Sequence, residues 1–137
     1  MSGISSPALI AGGERLARFV LFSKWIRSSG PTKTVKPDAF IPHPYPDLSV
    51  TRHLHLSEKQ LWDIGQAIAD VRPAYLYGRA DIQATHAENV GLRVKAAPVR
   101  GNANHANVTG WPGDKPAQKI IAQQLAAVAT YCDKGAS

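Results

Sequence analysis

The sequence predicts a small single-domain α+β fold, a mixed or mostly antiparallel sheet of about four to five strands with about three helices packed on it. Three observations carry this. Segments alternating at two residues are interleaved with segments of helical period, 137 residues suit one ordinary domain, and the 44% hydrophobic content suits a packed core. Residues 1–14 open without a basic cluster and carry only a short apolar stretch, so they are expected to form a flexible leader before a domain spanning 15–134.

Leu16 to Ile26, rich in Phe, Val, Leu and Trp, is expected as a strand buried on much of both faces. Turn formers dominate residues 28–47, from Ser28-Ser29-Gly30-Pro31 to Pro42, Pro44 and Pro46, which predicts a long proline-rich loop anchored only near Phe40. From Leu48 to Leu56 the period is two. Leu48, Val50, Arg52, Leu54 and Leu56 take one face and Ser49, Thr51, His53 and His55 the other. Ser57 and Gln60 form a capping box that opens a helix with Leu61, Ile64 and Ile68 on its core side, and Pro73 ends it.

Ala74 to Tyr77 is a short strand candidate, and Arg79 to Val90 is expected as a helix stopped by Gly91, with Leu92 as the apolar contact. Leu92 to Ala97 alternates as a strand with a basic face, and His105 to Thr109 forms another. Asp114 caps the last helix, whose apolar stripe is expected to run to Cys132.

Charge is unevenly distributed. Residues 1–36 hold six Lys and Arg against Glu14 alone, or +5 of the net +6, and residues 90–113 contain Arg93, Lys95 and Arg100 with no acid. Such segments attract phosphates or an acidic protein surface, which makes Arg27, Lys33 and Lys36 candidate ligand contacts beside Arg93 and Lys95. No apolar run approaches the roughly 20 residues that span a bilayer. A lone cysteine, Cys132, excludes an internal disulfide and fits a reducing cytoplasm.

Candidate chemistry gathers on polar strand faces. His53 and His55 would project together at about 6 to 7 Å, with Ser49 and Thr51 continuing the row. His105 and Asn107 share a face of a second strand. If the two strands are neighbours, His53, His55 and His105 form one patch able to act as general acid and base, because imidazoles titrate near neutrality. Arg52 falls on the apolar face, where a buried guanidinium needs a carboxylate or an anionic ligand; Asp63, Asp81 and Glu88 are candidate partners. Neither a phosphate-binding glycine loop nor a metal-ligand motif is present, so no cofactor is expected. Three functions fit: an accessory protein binding nucleic acid or an acidic protein partner, a histidine-dependent hydrolase or transferase acting on a phosphate-bearing substrate, or an inhibitor or immunity-type interaction subunit.

Overall fold

The computed structural model describes residues 9–42 and 44–134. Among these residues eight strands occur in chain order: β1 (Arg15–Val20), β2 (Ile26–Ser29), β3 (Thr32–Val35), β4 (Leu48–Arg52), β5 (Gly78–Gln83), β6 (Arg93–Ala96), β7 (His105–Thr109) and β8 (Thr130–Asp133). Three helices, α1 (Glu58–Val71), α2 (Ala84–Asn89) and α3 (Lys115–Val128), fall between them. The α+β class and the three helices match expectation. The main sheet, however, has six strands in the order β6-β7-β4-β1-β5-β8, all paired antiparallel, and β2 and β3 form a separate hairpin.

Both faces of the sheet are used. On one, Leu16, Val20, Leu48, Val50, Ala80, Ile82, Ala106 and Val108 pack with Ala122 and Leu125 of α3, Ala84 and Ala87 of α2, and Phe40. On the other, Ala17, Phe19 and Leu21 of β1 pack with Leu61 and Ala69 of α1. Strand alternation sorts these two sets, since odd and even residues of β1 point to opposite sides. Gly65 brings α1 close to the sheet, because a Cβ there would lie 2.5 Å from Phe19. No residue of β4, β6 or β7 joins the α1-side core, so that half of the sheet keeps a face without a helix over it.

Several elements differ from the sequence reading. The first strand ends at Val20, and a 3-10 turn over Ser23–Trp25 leads into the hairpin. Residues 28–47 are not one loop. Gly30, at φ +61°, turns β2 into β3, and Pro37–Phe40 forms a 3-10 helix whose Phe40 is fully buried. Four-residue strands with Ile26 and Val35 as their apolar ends give too short an alternation to stand out among turn formers. His43 lies outside the described residues.

Strand β4 stops at Arg52 rather than Leu56. The Asn104 side-chain amide donates to the carbonyls of Arg52 (2.9 Å) and Leu54 (2.7 Å), which a longer strand would need for its ladder. His55 sits at φ +62°, a turn conformation. The capping box at Ser57 and Gln60 is present in both directions.

The Ala74 to Tyr77 strand candidate is a connection, and the helix expected from Arg79 begins only at Ala84, because Arg79, Asp81 and Gln83 alternate with Ala80 and Ile82 as β5. The stop at Gly91 holds: φ is +86° and the Leu92 amide donates to the Ala87 carbonyl at 3.0 Å. Helix α3 ends at Val128, and Thr130 to Asp133 form edge strand β8. Of the leader, residues 1–8 lie outside the description, but Gly12 and Glu14 carbonyls accept from Thr85 and Ala84 amides (2.8 and 2.9 Å), which ties this segment to β5 and α2. Among the described residues no helix is long and apolar enough to cross a membrane.

Candidate functional site

Strands β4 and β7 are neighbours, with Ser49 opposite Asn107 and Thr51 opposite His105. Strand β6 continues the rows, placing Lys95 opposite Asn107 and Arg93 opposite Thr109. Cross-strand partners share a face, so Lys95, Asn107 and Ser49 form one row, and His105 and Thr51 the next. This is the face that α1 leaves open. Ser49, Arg93 and Lys95 are exposed, and Asn107, His105 and Thr109 are half-buried.

No Asp or Glu occurs on β4, β6, β7 or in the 97–104 loop. At one wall of the groove stand Ile64, Ala67, Ile68, Val71 and Arg72 of α1 and its C-terminus, facing Val99, Arg100 and Asn102 across a cavity of about 310 Å³ that His105 also lines. The result is an apolar wall over a polar, cationic floor.

The three histidines separate. His105 lies in the groove with its Nδ1 2.8 Å from the Ala97 carbonyl, an oxygen that can only accept, so Nδ1 carries the proton. His55 is exposed in the turn beyond β4 and belongs to no row. His53 turns to the α1 side of the sheet, where its Nε2 lies 3.0 Å from Asp81 Oδ1. A shared three-histidine patch does not form.

Asp81, nearly buried, organises a closed ion cluster. Arg79 Nε donates to both its oxygens at 3.1 Å and Arg15 Nη2 to Oδ2 at 3.1 Å, while Arg79 Nη1 and Nη2 donate to Glu58 at 2.9 Å. The Arg79 guanidinium lies 4.7 Å over the Trp62 ring. Burial raises the Asp81 carboxyl, but the His53 hydrogen bond and the Arg79 charge outweigh it and hold Asp81 below the ordinary carboxylate range. The Arg79 hydrogen bond likewise lowers Glu58. Cys132, near Asp81, is pushed up by burial and then by the Asp81 charge, which keeps it a thiol and a poor nucleophile.

Of the other candidates, Arg52 is buried with Glu14 as its bidentate partner, Nη2 to Oε1 at 2.8 Å and Nε to Oε2 as a second bond. The partner is thus none of Asp63, Asp81 or Glu88 but Glu14, from the segment expected as a flexible leader. Thr51 is 1% exposed and accepts from the Asn102 amide at 3.0 Å, so its hydroxyl is spoken for. Arg27, Lys33 and Lys36 lie on or just after the hairpin, which packs by β8, at the opposite edge of the sheet from β6; Lys33 pairs with Asp133 at 2.8 Å.

One residue that the sequence reading did not single out is Arg18. Strand β1 pairs with β4 only at Leu16↔Arg52 and Ala17↔Thr51, whereas it pairs with β5 along its whole length. Where β1 and β4 part, Arg18 reaches across: Nη1 donates to the Ser49 carbonyl (3.1 Å) and Nε to the Ala39 carbonyl (2.8 Å), and its guanidinium lies 5.5 Å from the Trp25 ring centroid. Burial, and then the charge of Arg72, pull Arg18 down to about 10. A signal was available, since Arg18 interrupts an apolar strand as Arg52 does. Against this geometry stand no similarities: no protein-family model, no curated protein and no solved structure matches the chain.

Proposed function

We propose that the open face of β4, β7 and β6 binds single-stranded nucleic acid. One observation carries the reading: Arg93, Lys95, Ser49, Asn107 and His105 share one face of three neighbouring strands, which α1 borders only at one wall, with Arg72 and Arg100 at its rim and no carboxylate on any of the three strands. Same-face neighbours on a strand are about 7 Å apart, so Arg93 and Lys95 offer charges in series rather than one point. Amide, hydroxyl and imidazole groups between them supply both donors and acceptors for base edges or sugar hydroxyls. Exposed Phe22 and Tyr45, beside Ser49 at one end of the groove, add rings on which bases stack without regard to sequence.

A fluorescent oligonucleotide of about 12 residues, titrated at about 50 mM salt, tests this. Binding is expected, with affinity falling at least about tenfold on the double charge reversal Arg93→Glu and Lys95→Glu. An acidic peptide such as polyglutamate is the competing ligand. If it binds as tightly as the oligonucleotide, or if the reversal changes nothing, the nucleic-acid reading fails.

A hydrolytic reading has one specific support, His105. With Nδ1 protonated on Ala97, a neutral ring leaves Nε2 as an acceptor in a groove that also exposes Ser49. His105→Ala should then abolish strand cleavage and leave binding intact; unchanged cleavage in that variant removes this reading.

A further inference from the structure

Where β1 and β4 part, two arginines border one cleft. Arg18 and Arg72 line the same two adjacent cavities, of about 60 and 210 Å³, and share them with Phe22, Trp25 and Ser49. Among the described residues neither arginine has a carboxylate within ion-pair distance. Asp47 borders the larger cavity but pairs with neither. The two buried arginines are both matched, Arg52 by Glu14 and Arg79 by Asp81 and Glu58. Arg18 satisfies Nε and Nη1 on backbone carbonyls, which supply dipoles but no charge, and among the described residues no hydrogen bond occupies Nη2.

Two like charges beside a cavity repel, and an anion between them turns that repulsion into attraction on both sides. Guanidiniums suit a phosphate, whose oxygens match their forked donors. The walls add a second specification. Phe22 and Trp25 meet edge to face at 4.8 Å, Lys24 lies 5.9 Å from the Phe22 ring, and Tyr45 is exposed on the far side. A planar group attached to the phosphate would find aromatic surface next to the charges.

From this geometry we infer that the Arg18 and Arg72 cleft is a phosphomonoester site that takes a nucleotide 5′-phosphate, with the base against Phe22 and Tyr45. The phosphate could belong to a free mononucleotide or to the 5′ end of a strand, and the chemistry of capture is the same. This deepens the nucleic-acid reading, because Ser49 borders both the cleft and the open face, yet it can fail separately.

Four probes test it: 5′-AMP, adenosine, and one oligonucleotide with and without a 5′-phosphate, each against wild type, Arg72→Glu and Arg93→Ala/Lys95→Ala. Arg72 is exposed beyond α1, so its replacement leaves the fold intact, whereas Arg18 bridges two backbone segments and is kept. 5′-AMP should bind at least about tenfold tighter than adenosine, and the phosphorylated oligonucleotide tighter than its hydroxyl twin by a similar factor. Both preferences should vanish in Arg72→Glu and persist in Arg93→Ala/Lys95→Ala. A preference for 5′-AMP without one for the phosphorylated strand assigns the site to free mononucleotides. If neither phosphate confers an advantage, or if Arg72→Glu keeps it, the cleft is not a phosphate site, even where the hydroxyl oligonucleotide binds the open face normally.

Discussion

Two cationic regions lie within one small sheet, and they differ in how their charge is answered. Around Asp81, two arginines, Arg15 and Arg79, meet two carboxylates, Asp81 and Glu58, and His53 completes the set. Around the open face and the Arg18 cleft, Arg18, Arg72, Arg93, Lys95 and Arg100 meet no carboxylate within ion-pair distance among the described residues. The first region is internally neutralised and contributes to stability. The second keeps its charge unanswered among the described residues. Net charge alone would not separate them, since both are rich in arginine.

The largest expected effect comes from breaking the closed region. Asp81→Ala leaves Arg79 short of one partner and His53 without its own in a nearly dry site, and should cost about 3 to 5 kcal/mol in urea unfolding. A loss under about 1 kcal/mol would mean that water, not Asp81, satisfies these groups. The same region sets the acid response. Asp81 and Glu58 are held below their unfolded values, so their stabilisation is present above the ordinary carboxylate range and is lost as pH falls through the lower folded values. Wild type should therefore lose stability below about pH 4, and Asp81→Ala should show a flatter acid limb over the same range.

The histidines give a finer comparison, because each belongs to a different environment. His53→Ala removes a bond to a buried carboxylate and should cost about 1.5 to 3 kcal/mol, while His105→Ala loses one bond to a carbonyl, about 1 kcal/mol. His55→Gly should stabilise slightly, by about 0.5 kcal/mol, because φ of +62° suits glycine better. Thermal unfolding of the three variants checks the order, and equal losses would erase the distinction between closed and open regions.

How far the sequence foretold these regions depends on the range of the signal. The capping box at Ser57, the stop at Gly91 and the alternation in His105 to Thr109 are local, and each is visible in a few adjacent residues. Strand β5 was equally local, Arg79 and Asp81 alternating with Ala80 and Ile82, but polar residues on a covered face do not read as core until their partners are known. Those partners come from elsewhere in the chain, Glu58 from α1, Arg15 from β1 and His53 from the turn after β4. Edge strand β8 reads as the end of the helix before it, because Cys132 continues that helix's apolar stripe. On the functional side, the rows of Ser49, Thr51, Asn107, Arg93 and Lys95 were legible from period-two spacing once β4, β7 and β6 lay side by side. His55 was not, since its place depends on Asn104 ending the strand. Arg18 escaped because the gap it fills exists only where β1 and β4 diverge.

The smallest structural changes carry the sharpest functional contrast. Two triple variants, Arg93→Ala/Lys95→Ala/Arg100→Ala on the open side and Arg27→Ala/Lys33→Ala/Lys36→Ala at the hairpin, remove the same charge from opposite edges of the sheet. The deciding measurement is the slope of log affinity against log salt for a single-stranded oligonucleotide, in wild type and both variants. Each lost phosphate contact should flatten the slope by about 0.7, so the open-face triple should flatten it by up to about 2 and the hairpin triple should leave it unchanged. The reverse pattern, or no salt-dependent binding in the wild type, would contradict the open face as the site.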